Sequence, residues 1–113
     1  MSLLQDLVTV LEPLGIPLET GVFRDEAPGE YIVITPLTED FGLYGDNKPS
    51  VDIQEARISL YSKGNYTEIK NQLTTAFLEA DLTITQRQYI GYEPDTGYHH
   101  YQLDVQNLYI TEV

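Results

Sequence analysis

Cysteine is absent from this chain, and basic residues are scarce, with six Lys and Arg in 113 positions. The first absence excludes a disulfide framework, a thiolate nucleophile and any cysteine-based zinc site, and it fits folding in a reducing cytosol. The second removes the footprint by which proteins usually hold nucleic acid, because that affinity comes from Lys and Arg displacing counterions. Against the six cations stand eighteen acids, giving a formal charge of −12. The acids are spread along the chain, so the surface repels phosphate and favours solubility. No apolar run approaches the roughly 20 residues of a bilayer span. The start, Met1 to Asp6, lacks a basic region before its first acid and does not read as a secretory signal. The expectation is a soluble protein with no membrane partner.

Chemistry-bearing constellations are also missing. His99 and His100 are the two histidines; adjacent in an expected strand, they point to opposite faces and cannot grip one metal together. Glu39, Asp40, Asp46 and Asp52 do not follow the spacing of a calcium-binding loop, and Gly42 and Gly45 lack the Gly-Lys-Ser/Thr ending of a phosphate cradle. Ser2, Ser50, Ser59 and Ser62 lie outside any Gly-x-Ser-x-Gly elbow. The reading is no enzyme, no cofactor and no metal.

What is present is a regular alternation of structural signals. Ser2 with Gln5 forms a capping-box pattern ahead of Leu4, Leu7, Val8 and Leu11 at helical spacing, and Pro13 and Gly15 end that helix. Ile16–Phe23 reads as a first strand, followed by a charged connection over Arg24–Glu30. Tyr31–Thr35 is the strongest strand signal, limited by Pro36. Residues 38–50 hold glycines, acids and aromatics without a period, which predicts a long loop or ragged hairpin. Val51–Tyr61 returns to strand character with a change of apolar parity, predicting a bulge near Gln54-Glu55 or a late strand start. Asn65 with Glu68 caps a second helix whose stripe is Tyr66, Ile69, Leu73, Ala76, Phe77 and Ala80. Leu82–Tyr92, with Leu82, Ile84, Ile90 and Tyr92 sharing parity, and Tyr98–Ile110, alternating through Tyr101, Leu103, Val105 and Tyr109, form a final hairpin about Glu93–Gly97.

The order is helix, three strands, helix, two strands. One α+β domain over 1–113 follows, with a mainly antiparallel sheet and both helices on one face. Nine tyrosines are the compositional oddity. Tyr89, Tyr92, Tyr98, Tyr101 and Tyr109 crowd into the last hairpin, where core and interface roles are equally open, and Tyr44 points to an interface.

The segments Tyr31–Pro36, Leu43–Pro49, Ile53–Tyr61 and Lys63–Tyr66, together with Arg87–Tyr101, give the chain a resemblance to a known family. It is similar to the tail-completion, or tail-terminator, proteins of long-tailed phages and prophages of Gram-positive bacteria. The likeness runs over nearly the whole chain. It implies a ring, usually a hexamer, at the head-proximal end of the virion tail. Such a ring is made in the host cytoplasm, caps the tail tube, ends its polymerisation and presents a surface for head joining. Its expected partners are other copies, the major tail-tube protein and a head-closure or connector protein. DNA would pass through without being bound specifically. On this resemblance the loop and the last hairpin tip are the arms for subunit contacts, which singles out Asp40, Phe41, Leu43, Tyr44, Asp46, Lys48, Tyr92, Asp95 and Tyr98. Two alternatives stay open: another head-tail connector component of the same module, or a regulatory module whose acidic face mimics DNA.

Overall fold

The structure is a computed structural model and describes residues 2–20, 29–45 and 48–110. Helix α1 spans Leu3–Leu11, with the Ser2 hydroxyl accepting the Gln5 N–H at 3.2 Å. A short 3-10 turn, Glu12–Leu14, ends at Gly15 in the left-handed region, φ 72°, where glycine carries no steric penalty. Strands β1 (Leu18–Thr20), β2 (Glu30–Gly45) and β3 (Lys48–Ser62) follow, then helix α2 (Tyr66–Glu79) and strands β4 (Thr83–Glu93) and β5 (Tyr98–Ile110). Asn65 caps α2 by accepting the Glu68 N–H at 3.2 Å. The α+β class and the element order are as predicted.

The sheet runs β1-β2-β3-β5-β4, antiparallel except for the short parallel pair of β1 with β2. Leu3, Leu7 and Leu11 of α1 join Ile69, Leu73 and Phe77 of α2 over Ile32, Ile34, Ile58, Leu60, Leu103 and Val105 of the sheet. Both helices therefore cover one face, here called the helix face. Among the described residues the other face carries no helix.

Two predictions of detail are corrected, and one is met in part. The expected first strand is seen over Leu18–Thr20; residues 21–28, with most of the charged connection, lie outside the described residues. Residues 38–45 and 48–50 are strand: β2 and β3 pair from Glu30↔Ser62 to Gly45↔Lys48, so the hairpin half of the expectation is the observed one, and residues 46 and 47 lie outside the described residues. The irregularity expected near Gln54-Glu55 sits across from it on β2, where the register shifts between Pro36 and Thr38. β3 itself pairs with β5 without a break from Val51↔Ile110 to Ser62↔His99. Its backbone stays regular, and the apolar residues change face. Ala56, Ile58 and Leu60 point to the helices; Val51 and Ile53 point to the bare side.

The reason for that change is length. The long hairpin runs past the helices, giving extents of 54 × 26 × 23 Å and a radius of gyration of 15.5 Å, against about 13 Å for a compact domain of this size. At the far end the helix face is lined by polar anchors. Gln54, 9% exposed, accepts the Leu3 N–H at 2.9 Å through Oε1 and donates to Asp52 Oδ2 through Nε2 at 2.9 Å. The Tyr109 hydroxyl donates to Asp6 Oδ2 at 2.6 Å. These bonds fasten the start of α1 to β3 and β5.

Candidate interaction surfaces

The body end of the sheet is bound by rings on both faces. On the bare face, cross-strand neighbours Tyr31, Tyr61 and His100 lie in one row. Tyr31 stacks on Tyr61 with centroids 4.7 Å apart, and Tyr61 on His100 at 4.3 Å. Tyr98 meets Tyr31 and Tyr61 edge-on, and the Lys63 ammonium sits 4.8 Å from its ring centroid. Burial raises the Tyr31 and Tyr61 hydroxyl pKa values, and it lowers that of His100, because a charged ring is disfavoured where water is excluded. On the helix face, His99 lies among Tyr66, Tyr89 and Tyr92, with Tyr89 Oη 3.0 Å from its Nδ1. The two histidines do point to opposite faces, each engaged by tyrosines.

Beside the bare-face row, Arg57 and Asp104 are direct cross-strand partners joined by two bonds, Nε to Oδ1 at 3.0 Å and Nη2 to Oδ2 at 3.2 Å. The Asp104 side chain is 7% exposed and that of Arg57 37%. The carboxylate raises the Arg57 pKa by accepting these bonds.

The far end differs. On the bare face Val51 and Ile53 are half-buried, while Leu108 is 59% and Ile110 86% exposed. Gly42 lies in the same row as Val51, and a Cβ there would meet Ile53 Cδ1 at 3.3 Å, so the missing side chain leaves room for that methyl. On the helix face Phe41 is 55% exposed. Where α1 begins, the β2 bulge opens a groove of about 460 Å³ lined by Leu3, Leu4, Pro36, Leu37 and Glu39, among others.

The residues expected at subunit contacts fall into two groups that the fold keeps apart. Asp40 and Phe41 are exposed on distal β2, where Leu43 and Tyr44 continue the strand and Lys48 opens β3; Asp46 lies outside the described residues. Tyr92 and Asp95 are exposed at the last hairpin. Tyr98 is 5% exposed inside the tyrosine row, so its ring is occupied within the subunit. Sequence reasoning missed Leu108 and Ile110, which read as the end of a strand, and the Tyr31–Tyr61 stack, whose members are brought together only by the β2–β3 pairing.

Among the described residues no group of three His, Asp or Glu side chains could hold a metal, and no helix is long and apolar enough to cross a membrane. No protein-family model matches the chain, and no curated protein matches it.

Proposed function

We propose that this chain is a structural subunit of a long-tailed phage virion. It assembles with copies of itself into a ring, a hexamer in the family it resembles, that caps the tail tube, ends tail polymerisation and offers a surface to the head connector. The observation that carries this reading is the far end of the sheet. A solitary domain has little reason to extend paired strands beyond its helices and leave Phe41, Leu108 and Ile110 largely uncovered, because exposed apolar patches on soluble domains usually mark contact sites. The charge of −12 fits a passage through which DNA slides without adhering.

Native mass spectrometry and negative-stain microscopy test the reading. A closed oligomer, alone or once tail-tube protein is added, is the expected result. A protein that stays monomeric under both conditions would sink it. A protein that instead competes with DNA for a basic partner, and is missing from purified virions, would favour the DNA-mimicking alternative.

A further inference from the structure

A ring needs two different surfaces per subunit, each complementary to the other. The sheet has two edges, and both are open over part of their length. Among the described residues β4 pairs with β5 alone, and β2 has no outer partner beyond Ile34. The first opening lies beside the body. The second lies along the far end, from Glu39 to Gly45. Among the described residues each presents unpaired backbone N–H and C=O groups, a ready template for another strand.

Charge distinguishes the two edges. Of the four cations whose side chains are described, Arg57 is held by Asp104, Lys63 by the Tyr98 ring and Lys70 by the Tyr101 ring at 5.3 Å. The Arg87 side chain, exposed on β4, makes no ion pair, hydrogen bond or ring contact among the described residues. On the other edge Glu39 and Asp40 are exposed and equally without a partner. Pairing β4 with a copy of itself would bring two Arg87 side chains close, and pairing distal β2 with itself would gather four acids. Like charges opposite one another destabilise both arrangements.

We infer that the first part of the free edge of β4, from Thr83 to Tyr89, docks antiparallel against the distal edge of β2 in a second copy, with Arg87 opposite Glu39; past its irregularity at Ile90 β4 turns away, because β1 already holds the edge at Ile32 to Ile34. This rests on the self-assembly reading above and names its interface. Direction and facing agree. Across the sheet β2, β3, β5 and β4 alternate in direction, so a neighbour placed in the same orientation meets β4 with an antiparallel β2. Arg87 is in the row of Leu103, Ile58 and Ile34, on the helix face. Glu39 is opposite Gln54, on the same face, because the bulge at Leu37 inverts the parity of β2 beyond it. Without that bulge Glu39 would point to the bare side and the pair could not form. In the same register Tyr89, on the helix face and 42% exposed, falls opposite Leu37 at the mouth of the groove lined by Leu4, Pro36 and Leu37.

Charge exchange followed by native mass spectrometry tests the pairing. Arg87→Glu and Glu39→Arg should each weaken assembly at least about tenfold, since either leaves like charges opposed at every interface. Both positions are exposed, and far-UV circular dichroism checks that each variant stays folded. Mixing the two variants should restore the oligomer at equal composition, because each then supplies the edge the other lacks, and β4 amides should exchange more slowly in the oligomer. A wild-type oligomer indifferent to either substitution overturns the pairing and leaves the self-assembly reading intact; so does a mixture that fails to assemble. Loss with Arg87→Glu alone would overturn it, since Glu39 would then lie outside the contact that Arg87 makes. A wild-type chain that binds only a different protein and never a copy of itself overturns the pairing and the self-assembly reading together.

Discussion

The two ends of the sheet share strands and differ in what covers them. At the body end the helix face is sealed by six buried leucine, isoleucine and phenylalanine side chains from the helices, and the bare face is filled by the Tyr31–Tyr61–His100 row and the Arg57–Asp104 pair. At the far end the helix face is held by single hydrogen bonds from Gln54 and Tyr109, and the bare face leaves Leu108 and Ile110 to solvent. One end completes its own core. The other leaves apolar surface uncovered among the described residues.

The sharpest break in that comparison is a cavity at the body set against a deletion at the tip. Phe77→Ala, at a fully buried site, should cost about 3–5 kcal/mol in urea unfolding because the space left behind collapses only partly. Ile110→Ser, at 86% exposure, should stay within about 0.5 kcal/mol by the same measurement while weakening any self-association seen by sedimentation. Comparable losses from both would erase the distinction.

The ion pair comes next, and it is asymmetric. Arg57→Ala strands a buried carboxylate and should cost about 2–3 kcal/mol. Asp104→Ala leaves a guanidinium that can turn to water and should cost about half as much. Denaturant midpoints in the reverse order would show that the pair is not held by the burial of Asp104.

At the far end, Gln54→Ala orphans the Leu3 N–H and should cost about 1–2 kcal/mol. Hydrogen exchange should then quicken in the first turn of α1 and leave α2 unchanged. An equal effect on both helices would mean that Gln54 supports the core at large and does not simply anchor one helix.

The smallest effect is a pH dependence. Burial holds the His100 pKa below its ordinary value, so the unfolded chain takes up the proton first as pH falls through about 6.5. His100 therefore favours folding above that pH, and its contribution is lost as acid rises. Denaturant midpoints measured between pH 7.5 and 5 should slope less in His100→Phe, which keeps a ring on Tyr61 and removes the titration. Parallel slopes would place the titrating group elsewhere.

Local chemistry made part of this legible. Ser2 and Asn65 cap the helices expected of them, and β5 alternates Tyr101, Leu103, Val105 and Tyr109 on one face as its spacing predicted. The β4 alternation was less faithful. Register shifts at Thr85 and Ile90 turn Ile90 out of the row that its parity suggested, since period-two counting assumes an unbroken pleat. The far hairpin was half-read, because Gly42, Gly45 and the acids weaken a strand signal that paired backbone then overrides. Of the residues expected at subunit contacts, Phe41 and Tyr92 are exposed aromatics near turns. Tyr98 has the same composition cue and ends inside the subunit.

By itself, the sequence determined the chain's charge, its lack of thiol chemistry, its helix starts and the order of its elements, because these depend on residue identity and on neighbours within a few positions. Tertiary structure decided which face each apolar residue meets. A one-residue bulge at Leu37 turns Glu39 to the helix side, and strand pairing sets Arg57 against Asp104 and Tyr31 against Tyr61. Those outcomes depend on register between strands far apart in the chain, and the period of a single strand carries no record of its partner.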